Sequence, residues 1–257
     1  MSALISVLLF SVSSFHQTAP LPDLVEHDPL TGIRVVYERD GYMDVDTWGD
    51  DYEYPVVKPM SDAEIARSRA IIRKAVTKYP PGFLAKRLDK IYVCAALSVD
   101  GYEYGATYDR RTLFLVNGGV AGGFDDRFLE QSVHHEFSSV LMYEPESHFP
   151  EKAWVATNPP GFQYKGYDQV FADKKSEIDW EEQKPEWLKM GMIKRYSFTS
   201  VEEDLNTVAE SIFAGGPSVW KQADANPRLL KKFRVAMGFY HSLNAWFTEA
   251  RFRSWVK

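Results

Sequence analysis

Val133-His134-His135-Glu136-Phe137-Ser138-Ser139-Val140-Leu141 is the stretch whose reading decides the fold. On a helical wheel of about 100° per residue, Leu129, Val133, Phe137, Val140 and Leu141 share one side, the side a helix turns to a core. His135, Ser139 and Ser132 fall nearly opposite, with Glu136 at their edge. His134 points about a quarter-turn from the apolar stripe. The pattern sends His135 and position 139 in one non-core direction, as in a helix that lines a cleft. Gly122-Gly123 precede the helix, and Asp125 or Asp126 is its candidate N-cap.

Two imidazoles one turn apart on a helix, with a glutamate beside the first, can hold zinc and supply a general base. Here His135 and Glu136 are in place and position 139 is serine. His134 cannot supply the lost ligand, because its own i+4 partner is Ser138. Taken alone, the His-Glu pair is an ordinary polar cluster on a helix, so the rest of the chain must decide.

The chain has 257 residues, 45% apolar and 26% charged, which suits one large or two small globular domains. Fourteen tyrosines and seven tryptophans can fill a core or line a groove that grips chains. A net charge of −6 gives no electrostatic case for nucleic acid. The single cysteine, Cys94, sits in the apolar run Ile91–Leu97, where a small buried hydrophobe is expected. No Asp, Glu, Lys or Arg precedes Asp23. The apolar run Ala3–Val12 is long enough for a signal-peptide core and too short for a membrane span. Residues 1–20 are therefore expected to be a signal peptide and the protein to be secreted or in the cell envelope.

Ile33–Glu38, about 90–97 and Arg111–Val116 read as strands. Ser61-Asp62-Ala63-Glu64 is a capping box opening a helix that runs to about Tyr79, where Pro80-Pro81-Gly82 stops it. The acidic, aromatic segment from Asp40 to Tyr54 has a faint calcium-loop spacing, Asp44-x-Asp46 with Gly49. Its twelfth position is Pro55 where a bidentate Glu is required, so a solvated loop is expected. Residues 145–190, rich in Pro, Gly, aromatics and charge, are expected to hold little regular structure. Helical patterns close the chain, from about Val201 to Phe213 and from Pro227 onward. Strands first and helices later make an α+β ordering.

Downstream of the His-Glu helix stand Tyr196 and Glu203-Asp204, with Asn158-Pro159-Pro160-Gly161-Phe162-x-Tyr164 between. On these motifs the chain resembles the glutamate-type zincins, and within them the branch with the lethal-factor-like Tyr/Glu spacing. There a tyrosine stands seven residues before the glutamate that completes the zinc site, as Tyr196 does before Glu203. It also resembles a group of envelope-associated bacterial proteins named "putative zinc-binding metallopeptidases", which show His-His-Glu-Phe-x-His, an aromatic Pro/Gly-rich stretch, then Tyr and Glu-Asp followed by a further Glu; this chain has Ser139 at the last His of the first motif. The likeness covers about residues 33–215.

The resemblance implies a zincin-like metallopeptidase fold. Its parts would be a small mixed sheet with an edge strand over an active-site helix and a helical C-terminal part. It would be one domain over 21–257, with a sheet-containing lobe at about 30–143 and a mainly helical lobe at about 144–257. It implies zinc on His135 and Glu203, Glu136 as general base, Tyr196 as oxyanion donor and an extended peptide paired with the strand at 111–116. Ser200 or Thr199 would cap the second helix, with Glu203 in its first turn. Glu210, on roughly the same face as Glu203, would orient a ligand or face solvent. Serine at 139 is a poor zinc ligand. The expected outcomes are a dead or weakened site, first in order, a substitute from His148 or His241, or an oxygen-rich site for another metal. The two functional readings are a zinc-dependent endopeptidase and an inactive zincin-like protein that binds a peptide or protein partner. A third is an aromatic-rich envelope protein with a coincidental His-Glu helix.

Overall fold

The computed structural model describes residues 22–43, 55–170 and 182–256. The expected signal peptide and the calcium-like segment at 44–54 lie outside the described residues. Strands come first: β1 (Leu24–His27), β2 (Arg34–Tyr37), β3 (Val56–Lys58), β4 (Lys90–Cys94), β5 (Ala96–Val99), β6 (Tyr102–Tyr104), β7 (Ala106–Asp109) and β8 (Thr112–Val116). Helix α1 (Asp62–Val76) links β3 to β4. Among the described residues, every later element is helical. None of these helices is long and apolar enough to cross a membrane.

A mixed five-stranded sheet has the order β1-β2-β4-β8-β7. Strands β2, β4 and β8 run parallel, and β1 and β7 are antiparallel to their neighbours. A three-stranded sheet, β3-β5-β6, covers one face. Side chains alternate across a strand. Val35, Tyr37, Ile91, Val93, Leu113 and Leu115 therefore join the helices in one core, while Val36, Tyr92, Cys94, Phe114 and Val116 meet Val57, Leu97 and Val99 in the other. A sheet covered on both faces needs apolar residues at nearly every position. That is why β4 and β8 read as unbroken apolar runs.

Three local expectations change. The strand at 111–116 is not an edge: the Asp109↔Thr112 hairpin folds β7 back along β8, and β7 becomes the edge. The run at 90–97 breaks at Ala95, where the chain leaves the large sheet for the small one. The box at Ser61 is half made. Ser61 accepts from the Glu64 N–H, but the Glu64 carboxylate turns away to Arg67 Nε (2.6 Å) and Asn117 Nδ2 (2.8 Å).

The His-Glu segment forms α2 (Asp126–Tyr143), capped by Asp125, whose Oδ1 accepts from the Phe128 N–H at 2.7 Å. Among the described residues of 145–190 stand three short helices, α3 (Glu151–Val155), α4 (Tyr167–Val170) and α5 (Pro185–Met190). They are too short to show a helical period. A 3₁₀ turn, Arg195–Phe198, leads into α6 (Val201–Ala214), capped by Ser200. Helices α7 (Ser218–Ala225), α8 (Pro227–Leu243) and α9 (Glu249–Trp255) finish the chain. One continuous core joins side chains from Ile33 to Val256, from the large sheet to the last helix.

The first turn of α6 is anchored from behind. Asp204 is fully buried, and its Oδ2 accepts from Lys232 Nζ on α8 (2.6 Å), the Tyr164 hydroxyl (2.7 Å) and Trp154 Nε1 on α3 (3.0 Å). Burial pushes the Asp204 carboxyl up and the Lys232 ammonium down, and each partner's charge pulls the other back. Removing one member of such a pair strands the other. Lys232→Met should therefore cost about 3–5 kcal/mol in urea unfolding. Adding Asp204→Asn should recover most of it, because the amide oxygen still accepts from Trp154 and Tyr164. A loss of under about 1 kcal/mol in the single variant, the range of an exposed pair, would contradict this account.

Candidate functional site

Helices α2 and α6 pack side by side and turn His135 toward Glu203 and Glu210. The wheel placed Glu203 and Glu210 on one face of α6, and the structure uses that face. His135 Nε2 lies 3.0 Å from Glu203 Oε2, and His135 Nδ1 lies 3.0 Å from Glu210 Oε2. Glu210 is buried and its other oxygen meets Lys194 Nζ at 2.5 Å. The result is a row of four charged groups: Glu203, His135, Glu210, Lys194. Burial opposes a charged imidazole, but hydrogen bonds to the two carboxylates outweigh it and hold the His135 pKa well above its ordinary value. Burial likewise opposes Glu210, and Lys194 and His135 overcome it, leaving its pKa below normal.

Ser139 is 1% exposed, one turn from His135 on the same face. Its hydroxyl accepts from Asn206 Nδ2 at 2.8 Å, and the same amide nitrogen reaches Glu203 Oε2 at 3.5 Å. Glu203 accepts only, so it fixes which way the Asn206 amide faces. Asn206 Oδ1 is buried with no hydrogen-bond partner among the described residues.

Tyr196, on the 3₁₀ turn, sets its ring 5.8 Å from the His135 ring and its phenol against Glu203. Burial, then the charges of Glu203 and Glu136, raise its pKa. Glu136 is 8% exposed, and no hydrogen bond to its carboxyl is made among the described residues. Burial raises its pKa to about 8; His135 lowers it, while Glu203, Glu202 and Glu210 raise it further.

The structure thus brings His135, Glu136, Tyr196, Glu203 and Ser139 to one place. His148 is exposed in the loop after α2, with φ at 48°, and both His135 nitrogens are taken by other groups. His241 binds the Phe247 carbonyl on the far helices. Sequence reasoning did not single out Asn206, Lys194, Glu202, Tyr108 or Tyr143. Only Asn206 left a trace: it stands three residues after Glu203, on the face that meets position 139.

Zinc used for hydrolysis takes three protein ligands and a water. This cleft offers one imidazole nitrogen and one carboxylate oxygen. The third direction holds a serine hydroxyl already bound to an amide N–H, which turns its positive end toward Glu203. The donor set does not fit a catalytic zinc. Elsewhere among the described residues, Asp23, Glu38 and Asp40 could hold a metal ion, with ligand atoms within 4.8 Å of one another. Their oxygens already serve the chain: Glu38 accepts from Tyr92 and from the Asp40 and Gly41 N–H groups, and Asp23 from the Arg39 N–H.

No protein-family model matches the chain, and no curated protein matches it. Among solved structures, it is similar to one described as a "putative zinc-binding metallo-peptidase" from Bacteroides caccae. The identity is 13%, over 82% of this chain and 84% of that one, with a TM-score of 0.43. At that distance the site has to be judged on its own residues.

His135 and Glu136 both bind a proton more tightly in the folded chain than in the unfolded one. Stability from such groups is complete below the unfolded pKa and is lost as pH rises through the folded one. Glu136 acts between 4.5 and about 8, and His135 from 6.5 upward. The melting temperature should therefore fall as pH rises from about 4.5 through about 8. Glu136→Gln should flatten the part of that fall below about pH 8. Identical slopes for the variant and the wild type would remove Glu136 from the account.

Proposed function

We propose that this protein is a zincin-like protein, built as a metallopeptidase but without catalytic zinc, that binds a peptide or protein partner in its cleft. The observation that carries the reading is the Ser139–Asn206–Glu203 contact. A hydrolytic site needs a third electron-pair donor there. This chain puts an N–H donor there instead, and that donor holds the hydroxyl and faces the carboxylate a metal would use. The Glu203–His135–Glu210–Lys194 row then serves as a structural seam between α2 and α6.

The edge strand β7 supports the binding half of the reading. Its Gly105 carbonyl accepts from the Val116 N–H, and Thr107 and Asp109 lie in the same hydrogen-bonding phase of the β8 ladder. Ala106 and Tyr108 therefore turn their backbone N–H and C=O groups outward, where an extended peptide can pair with them. The Tyr108 hydroxyl reaches Glu202 on α6, so a peptide on this edge would lie beside the cleft.

A second reading, zinc-dependent peptide hydrolysis, is favoured by one observation: Glu136 and Tyr196 flank His135, where a base and an oxyanion donor would stand. Metal content separates the two. Wild-type protein purified without chelator should carry well under one zinc per chain. Ser139→His together with Asn206→Ala, which supplies the imidazole and removes the amide in its way, should raise zinc toward one per chain. Stoichiometric zinc in the wild type that disappears in His135→Ala would overturn the proposal in favour of the enzyme.

A further inference from the structure

Beside the Glu203–His135–Glu210–Lys194 row stand two more carboxyl groups, Glu136 and Glu202. Glu202 makes no ion pair among the described residues. Glu202 is half-buried, and its two oxygens accept from the Tyr108 hydroxyl (3.1 Å) and the Tyr143 hydroxyl (2.9 Å). Glu136 is more than nine-tenths buried and stands two turns before Tyr143 on the same face of its helix, the face that reaches Glu202. The two carboxyl groups therefore lie on one side, in the groove between the edge strand and the two helices. Its walls are aromatic. Tyr143 and Tyr167 are exposed, and the Tyr167 ring meets the Tyr196 ring edge-on at 6.3 Å.

We propose that this groove recognises a lysine or arginine side chain of an extended peptide, with Glu202 as its counter-charge and Glu136 as a second oxygen acceptor behind it. The inference rests on the peptide-binding reading above and names the kind of residue that reading leaves open. The register supports it. A residue of a bound strand opposite Tyr108 would project its side chain on the same face as Tyr108. That face leads to Glu202. An alkylammonium or guanidinium group suits tyrosine walls, whose ring faces attract organic cations. A bare metal ion suits them less, because two phenols already donate to Glu202 and occupy lone pairs an ion would need.

The test uses the full chain and three dansyl-labelled, amidated pentapeptides of sequence Ala-Val-Xaa-Val-Ala, with Xaa lysine, ε-acetyl-lysine or glutamate. Affinity is read by fluorescence anisotropy at physiological salt. The lysine peptide should bind at least about tenfold more tightly than its acetylated twin, as expected for a partly desolvated charge pair. Glu202→Gln should abolish that difference. Equal affinity of the lysine and acetyl-lysine peptides overturns the charge assignment while peptide binding stands. A lysine preference that survives Glu202→Gln comes from the overall negative charge and overturns the assignment too. Failure of all three peptides to bind overturns both this inference and the binding reading.

Discussion

The cleft is organised by one imidazole whose two nitrogens are both committed to carboxylates of the same helix. Glu203 and Glu210 stand two turns apart on α6 and close on opposite edges of the His135 ring. A carboxylate can only accept, so both ring nitrogens must donate, and the ring is an imidazolium. This fixes how α2 lies against α6 and demands further charges to keep the buried row neutral. Lys194 answers Glu210, and behind the row Lys232 answers Asp204. Each pair is stable because both members are present, and either member left alone in that interior would be costly.

That arrangement bears on metal chemistry. A metal at His135 Nε2 would have to displace the proton that Glu203 accepts there, and a third donor would be needed to make the exchange favourable. The third direction instead holds Ser139 and Asn206, already hydrogen-bonded to each other. The loss is therefore more than a missing histidine. The amide that bridges Ser139 to Glu203 makes the altered site a satisfied one. A return to three donors would require two compatible changes rather than one.

The sequence disclosed what depends on local spacing. The apolar stripe of α2, a cap at Asp125 or Asp126, a cap at Ser200 or Thr199 and the shared face of 203 and 210 are periodic or adjacent features, and all are legible in the sequence. Position 139 could be singled out by its phase with His135 alone. What depends on the crossing of distant segments was not visible. Lys194 reaches Glu210 only because a 3₁₀ turn brings it back under α6. Tyr108 and Tyr143 meet Glu202 from a strand and a helix end with no shared pattern. The edge was misplaced for a similar reason. Ala106-Thr107-Tyr108-Asp109 is short and only half-buried, so its pattern is weak beside the apolar run of β8, and only the hairpin decides which of the two lies outside.

Glu136 is the feature that the structural account of the seam leaves unexplained. Its side chain is more than nine-tenths buried, without a hydrogen bond among the described residues, and only the His135 charge offsets the three other glutamates beside it. A glutamine or an aliphatic residue would serve the fold better. Buried titratable groups held out of their ordinary range cluster where a protein meets a ligand. Here the unfavourable group faces the groove, and its neighbour Glu202 is held by phenols rather than by a cation. His135 gives Glu136 a positive neighbour, but no cation among the described residues pairs with Glu202. The attraction that remains is for a positive group from outside, with the tyrosine walls and the free edge of β7 to seat the chain that carries it.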